Sequence, residues 1–170
     1  MTSKFIGLAG ALLAVVIVAA AGAGPSAQGG GTAASTVVPM KPAPPGPLPP
    51  LPSVNYAPAR PMAVVQQVYE FAARHPEVLQ YVPCYCGCQR EGHQGNHDCF
   101  VKSRAANGRV LLWDAHGIGC AVCLEVGRRA MMLFNEKKSV PEIRATIDRE
   151  YGSRATTQTP TPRPPQTGKG

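Results

Sequence analysis

The stretch "VPCYCGCQREGHQGNHDC", residues 82–99, gathers most of the metal-binding and redox-capable side chains of this 170-residue chain. It contains Cys84, Cys86, Cys88 and Cys99, and the two remaining cysteines follow at 120 and 123. All six cysteines thus fall between residues 84 and 123, and so do three of the four histidines. Such local crowding indicates a set of disulfide staples, a redox device or a metal site.

The alternation of Cys84, Cys86 and Cys88 favours the metal site. Side chains at i, i+2 and i+4 of an extended backbone point to the same side, so the three sulfurs are expected to converge. Gly87 lets the chain bend between them without a Cβ clash. Cysteines two residues apart make strained disulfides. Alternating thiolates therefore suit the binding of one soft ion, or of two neighbouring ions, better than bonding to each other.

The second cysteine group is a C-x-x-C motif, Cys120 to Cys123, at the predicted start of a helix. The free N–H groups and the dipole of a helix N-terminus stabilise a thiolate. Such a pair can bind a metal or cycle as a redox disulfide. Cys123 shares its helical stripe with Val126 and Ala130, so we expect it to point inward.

The histidines add nitrogen ligands to this set. His116 precedes Cys120 closely in "DAHGIGC", and His93 lies in "GHQGN" beside glycines that permit a tight turn. His97 is a weaker candidate, at a spacing from His93 that would let both face one ion. The predicted metal ligands are Cys84, Cys86, Cys88, His93, Cys99, His116, Cys120 and Cys123. Soft thiolates and imidazoles favour Cu(I) or Zn(II) over Mg²⁺ or Ca²⁺.

The ligand count leaves the arrangement open. A structural zinc ion takes four ligands, so the surplus indicates two sites, a small Cu(I) cluster, or one site plus a disulfide. Residues 61–152 are too few to build a thick hydrophobic core, and small domains are often reinforced by metals or disulfides. We therefore expect the domain to be organised around this Cys/His cluster.

The expected fold is a small α-rich α+β domain over residues 61–152. Apolar residues at helical spacing predict a helix that starts near Pro61 and ends near His75, and another that starts at Cys120. "SVPE", residues 139–142, has the form of a capping box that opens a last helix ending at Gly152. Asn107-Gly108 predicts the turn of a short β-hairpin, with a short helix ending at Gly108 as the alternative.

The flanks differ from the domain in composition. Residues 24–60 are Pro-rich and are expected to be a disordered linker, and residues 153–170 a disordered tail. Residues 1–23 carry one lysine before an apolar run, which predicts a cleaved signal peptide or an N-terminal membrane anchor. We therefore expect an extracytoplasmic location, in the periplasm or at the cell surface, for a secreted or membrane-anchored protein.

The formal charge of +7 does not indicate nucleic-acid binding. All ten acidic residues lie between Arg60 and Arg154 among thirteen basic ones, so this region carries only a small excess. No basic run forms a stripe, and no aromatic residues alternate with basic ones. The expected partners are a metal ion, the membrane through an uncleaved N-terminal segment, and a membrane or exported protein.

At these residues the sequence resembles the bacterial PCYCGC-motif proteins, a family of exported proteins and lipoproteins of unknown function. The matching residues are Pro83 to Cys88, Gly92-His93, Asn96, Asp98-Cys99-Phe100, Asp114, His116-Gly117, Cys120 and Cys123-Leu124. The resemblance implies an extracytoplasmic location and a metal role, and brings no activity or substrate. Two features depart from the pattern: no cysteine follows the apolar run for lipidation, and His97 lies outside the motif.

Three functions are compatible with this sequence. The first is a metal-binding protein, with copper ahead of zinc, in metal trafficking or sensing. The second is a structural or binding module stapled by disulfides, because six is an even number in an exported chain. The third is a thiol-disulfide oxidoreductase that uses Cys120 and Cys123. No arrangement of nucleophile or paired carboxylates indicates another enzyme.

Overall fold

Apolar residues at helical spacing form the first long helix, α1 (Met62–Arg74). It begins directly after Pro61, whose fixed φ suits a helix start. It ends at Arg74, with His75 as its C-cap residue, because the following Pro76 has no N–H for a helical hydrogen bond. The computed structural model describes residues 38–166. The other helices and strands there are α2 (Pro76–Leu79), β1 (Val101–Arg104), β2 (Val110–Trp113), α3 (His116–Gly119), α4 (Ala121–Asn135) and α5 (Val140–Tyr151). Short 3₁₀ turns lie at Cys88–Glu91, Asn96–Cys99 and Gly152–Arg154.

Helix α4 is the central element, and both α1 and α5 pack against it. The predicted stripe of α4 is buried, with Cys123, Val126 and Ala130 at 0% exposure. Helix α5 opens with the predicted capping box, in which Ser139 N donates to Glu142 Oε2 at 2.8 Å. The expected α-rich fold is therefore confirmed.

The two strands form the predicted antiparallel hairpin, with Arg104 opposite Val110. Gly108 turns the chain with φ of +89°, in the left-handed region that glycine tolerates. A Cβ at Gly108 would lie 2.0 Å from the carbonyl oxygen of Pro42, so glycine is also required by close packing. The hairpin interpretation is confirmed, and the alternative of a helix that ends at Gly108 is not.

The described part of the Pro-rich segment, residues 38–60, has no helix or strand but is held against the domain. Ala43 N donates to Ala73 O at 2.9 Å, and Trp113 Nε1 donates to Pro49 O at 3.0 Å. The structure therefore differs from the expectation of disorder over these residues. Proline-rich backbone cannot form its own ladder, but its carbonyls remain free to accept hydrogen bonds from the domain.

The described part of the tail, residues 153–166, also differs from the expectation of disorder. Thr159 is 1% exposed, and its N–H donates to Cys84 O at 3.0 Å while its Oγ1 accepts from Cys84 N at 2.8 Å. Arg144 Nη1 donates to Pro162 O at 3.1 Å. The domain boundaries at 61 and 152 remain a prediction, but the residues on either side contact the domain.

The predicted signal or anchor, residues 1–23, lies outside the described residues. Within residues 38–166, no helix has the length and apolar character that crossing a bilayer requires.

Arg104 connects the hairpin to α1. Its guanidinium donates to Ala72 O at 2.6 Å, Ala73 O at 3.0 Å and Gly108 O at 2.9 Å. Its Nε donates to His97 Nε2 at 3.1 Å. One side chain thus satisfies the carbonyls at the end of α1 and at the hairpin turn.

We predict that Arg104→Met lowers the free energy of unfolding by about 2–4 kcal/mol, because it removes several charge-assisted hydrogen bonds and leaves their acceptors unpaired. Urea denaturation followed by circular dichroism measures the loss. The matched control is Arg109→Met, an exposed arginine on the same hairpin, which should change stability by less than about 0.5 kcal/mol. Equal effects of the two substitutions would contradict the role of Arg104.

Candidate metal centre

The eight predicted ligands converge on one place, and we call them the Cys–His cluster. Their sulfur and nitrogen atoms form four overlapping groups, and within each group all ligand atoms lie within 4.8 Å of one another. The groups are Cys86, His116, Cys120 and Cys123; Cys84, Cys99 and Cys123; Cys84, Cys86 and Cys88; and Cys88, His93 and Cys99. Sulfurs from the segment after Pro83 and from the start of α4 therefore meet.

Cys84 lies at the centre of the sulfur contacts. Its Sγ is 3.2 Å from that of Cys123, 3.4 Å from that of Cys86 and 3.5 Å from that of Cys99. It is fully buried, and its backbone N–H donates a hydrogen bond to Oγ1 of Thr159 in the C-terminal segment. All six cysteines are free thiols in this structure. Because Cys84 Sγ contacts three other sulfurs, the contacts do not select a single set of three sulfur pairs.

Two glycines bend the cysteine-rich loop around the cluster. Gly87 and Gly92 have φ of +86° and +90°, and they flank the 3₁₀ turn Cys88–Glu91. The loop is therefore not the straight extended strand from which convergence of Cys84, Cys86 and Cys88 was predicted. The three sulfurs still form one group, because the turn at Gly87 folds Cys88 back toward Cys84.

The C-x-x-C motif lies at the predicted helix start. Cys120 is the N-cap residue of α4, and Cys123 lies in the first turn with its side chain buried. Asn96, which is also fully buried, links this turn to the cysteine-rich loop: its Nδ2 donates to Cys123 O at 3.2 Å and its N–H to Val82 O at 2.8 Å.

Each histidine of the cluster has a carboxylate on the far side of its ring. His116 Nε2 is 3.5 Å from Cys86 Sγ, and its Nδ1 is 3.1 Å from Glu91 Oε2. His93 Nδ1 is 3.5 Å from Cys99 Sγ, and its Nε2 is 3.6 Å from Asp114 Oδ2. Metal-binding histidines commonly have a carboxylate or carbonyl at their second ring nitrogen, which fixes the tautomer and the ring orientation.

His97 does not join the cluster. It is buried, its Nδ1 pairs with Asp98 at 3.1 Å, and its Nε2 accepts from Arg104. Burial lowers its pKa, since the charged imidazolium is disfavoured away from water. Both ring nitrogens are thus occupied in supporting the loop and the hairpin.

The crowding of thiols and imidazoles shifts the pKa values of both. Hydrogen bonds from the thiols of Cys123 and Cys86 lower the pKa of Cys84 to about 5. Hydrogen bonding to Cys120 and Cys86 raises the pKa of His116 to about 11, and hydrogen bonding to Cys99 raises that of His93 to about 9. Hydrogen bonding to neighbouring thiols also lowers the pKa of Cys86 and that of Cys99 and raises that of Cys123, and the pKa of Cys88 is raised as well. Thiolate, the form of sulfur that binds metals, is therefore favoured at some of the sulfurs, including those next to the protonated imidazoles.

Among residues 38–166, one edge of the cluster reaches the surface. Cys86, His116 and Cys120 are half-buried, whereas the other four cysteines and His93 are buried. The exposed carboxylate of Glu91 lies beside this edge through its contact with His116.

The roles of four supporting residues were missed by sequence reasoning. Asn96 and Asp114 belong to the family pattern, but their types alone do not indicate contact with Cys123 or His93. Glu91 looks like an ordinary surface acid. Thr159 lies in a Thr- and Pro-rich segment whose composition gives no signal of burial.

We predict that iodoacetamide modifies Cys86 and Cys120 before the four buried cysteines in the reduced, metal-free protein, because reaction requires an accessible thiolate. Peptide mass spectrometry after brief treatment measures the order. In urea-unfolded protein the six cysteines should react at similar rates. Early modification of Cys84 or Cys99 in the folded protein would contradict the described burial.

Comparison with known proteins identifies the family but no activity. No curated protein and no solved structure matches the chain. The family model described as "Protein of unknown function with PCYCGC motif" matches residues 58–164, which include α1 to α5 and the whole Cys–His cluster. The chain therefore belongs to the family of PCYCGC-motif proteins of unknown function.

Proposed function

We propose that this protein is an extracytoplasmic metal-binding protein that holds Cu(I), or alternatively Zn(II), in the Cys–His cluster and serves metal trafficking or sensing. The observation that carries the proposal is the convergence of eight sulfur and nitrogen donors from separate segments into overlapping groups. The extracytoplasmic location rests on the apolar run within residues 1–23 and on its predicted role in export.

The carboxylates behind both histidines support a metal role over a purely structural one. Glu91 orients His116 toward Cys86, and Asp114 orients His93 toward Cys99. Asp114 Oδ1 also accepts from the backbone N–H of His116 at 2.8 Å, which links the two imidazoles. This arrangement keeps a ring nitrogen of each histidine directed at the sulfurs.

Ligand softness and ligand number together favour copper. Thiolate and imidazole ligands bind both Cu(I) and Zn(II) well. Zn(II) requires four ligands, and one of the four groups supplies them: Cys86, His116, Cys120 and Cys123. The other groups have three ligands each, which suits the trigonal coordination that Cu(I) accepts.

The half-buried edge gives the ion a route in and out. Cys86, His116 and Cys120 can contact an incoming ion while Cys84, Cys99 and Cys123 remain shielded from water. Ligand exchange with a partner protein would take place at this edge, since transfer between thiolates requires that donor and acceptor sulfurs approach one another. A trafficking or sensing role fits such one-sided access.

Two other functions remain as alternatives. A disulfide-stapled module would need one defined set of three sulfur pairs, whereas the contacts of Cys84 with three sulfurs favour no single pairing. A thiol oxidoreductase would use half-buried Cys120 at the N-terminus of α4 with Cys123 as its partner. That function leaves the two carboxylate-backed histidines without a purpose.

The proposal is tested by anaerobic titration of the reduced full-length protein with Cu(I) against a chromogenic chelator, and separately with Zn(II). We expect tight retention at a reproducible stoichiometry. Loss of a residue that supports a metal ligand weakens metal binding by about 10–100-fold. Cys123→Ala removes a ligand itself, so it should weaken metal retention by more than that. His75→Gln, at the end of α1 and outside the cluster, should retain metal as the unchanged protein does. A folded, reduced, metal-free protein that binds neither ion would exclude the function.

Glu91→Gln tests the carboxylate behind His116. The amide keeps the size of the side chain but loses the charge that orients the ring, so Cu(I) affinity should fall by about tenfold. The matched control is Glu70→Gln, an exposed glutamate on α1. Competition with the same chelator measures both, and an unchanged affinity in Glu91→Gln would remove Glu91 from the site.

A further inference from the structure

Given the proposed metal-binding function, we infer that the Cys–His cluster holds four Cu(I) ions as one polynuclear centre, with five of the six thiolates each bridging two ions. The four groups of ligand atoms are the four ion positions. The inference rests on how these groups share their members.

Five sulfurs have the connectivity of a pyramid. Cys84 is the apex, because its sulfur lies within 4.8 Å of each of the other four. The other four sulfurs form a closed ring in the order Cys86, Cys88, Cys99, Cys123 and back to Cys86. Along two edges of the ring, the Sγ atoms of Cys86 and Cys123 lie 3.5 Å apart and those of Cys88 and Cys99 lie 3.7 Å apart.

All four sides of this pyramid that contain Cys84 have their three sulfurs within 4.8 Å of one another. Ions on adjacent sides would share two sulfurs and repel each other at close range, so the ions are assigned to alternate sides. His93, His116 and Cys120 lie at the Cys88–Cys99 and Cys86–Cys123 edges, which fixes the choice of sides.

Two groups combine the apex with opposite edges of the ring, Cys86–Cys88 and Cys99–Cys123. The two other groups use the remaining ring edges and lack the apex. No two groups share more than one sulfur. This is the connectivity of four ions that cap alternate faces of an octahedron of ligands, an arrangement in which neighbouring ions are joined by single bridging thiolates.

The remaining corner of that octahedron is occupied by terminal ligands, each belonging to one group. His93 completes the group on the Cys88–Cys99 edge, and His116 with Cys120 completes the group on the Cys86–Cys123 edge. The rings of His93 and His116 lie edge to face with centroids 5.2 Å apart, so they occupy one region together. Two imidazoles thus stand where a sixth bridging sulfur would otherwise join two ions.

The ligand numbers select Cu(I) for this centre. Three positions have three ligands and one has four. Four Zn(II) ions would leave three positions one ligand short of the tetrahedral set. In the alternative of a single Zn(II) at the four-ligand group, Cys84, Cys88, Cys99 and His93 would hold nothing, although all are buried together.

Loading the centre involves no redox step. Copper enters as Cu(I) and stays Cu(I). Each thiol exchanges its S–H bond for S–Cu bonds, each imidazole binds through its neutral ring nitrogen, and the displaced protons go to solvent.

The test is native mass spectrometry of the reduced full-length protein, titrated anaerobically with Cu(I). We expect saturation at four ions. X-ray absorption at the copper edge should then show scattering from neighbouring copper atoms, since ions that share thiolates lie close together. Saturation at one, two or three ions, or four ions without copper–copper scattering, would overturn the inference while leaving metal binding intact. No binding at all would instead overturn the proposed function.

Two alanine substitutions separate bridging from terminal ligands. Cys84→Ala removes one ligand from two groups, so the variant should saturate at about two ions. Cys120→Ala removes a ligand from a single group, so at most one ion should be lost. Circular dichroism establishes that both metal-free variants are folded. Equal stoichiometry in the two variants would contradict the assigned bridging, and the measurements on the unchanged protein stand independently of either variant.

Discussion

The architecture depends on the contact between the cysteine-rich loop and the first turn of α4. Cys84 and Cys123 approach to 3.2 Å there, and Asn96 ties the backbones of the two segments together beside them. Burying two thiols in apolar surroundings costs little, since a free cysteine behaves as a small hydrophobic residue. Burying several ionised thiols without a cation costs much more, because like charges are then confined away from water. Positive charge at the centre of the cluster would lower the cost of burying ionised thiols and so stabilise the fold around it.

The elements that could be predicted are those whose signal is local. The stripe of α4, the capping box at Ser139 and the turn at Gly108 each follow from a few adjacent residues, and each lies in the structure where the sequence indicates. The convergence of Cys84, Cys86 and Cys88 was anticipated for a partly different reason. The backbone turns at Gly87 and does not continue as a strand, yet the sulfurs still meet.

What could not be predicted depends on contacts between distant residues. The Pro-rich residues 38–60 and the tail to residue 166 lack any periodic pattern, so composition indicates disorder. Their order comes from partners that only the folded domain presents, such as the indole of Trp113 for Pro49 and the backbone of Cys84 for Thr159. The same limit applies to Glu91 and Asp114, whose importance arises from the imidazoles that they face.

The position of the half-buried edge has a consequence for the order of events at the centre. Cys86, His116 and Cys120 belong to a single group, whereas the group on Cys84, Cys99 and Cys123 is buried throughout. In the proposed centre, an ion that reaches the interior would first pass the outer position. Ions would then enter and leave through the same edge, so the last ion bound would be the first released. The innermost ion would be protected longest from oxidants and competing chelators.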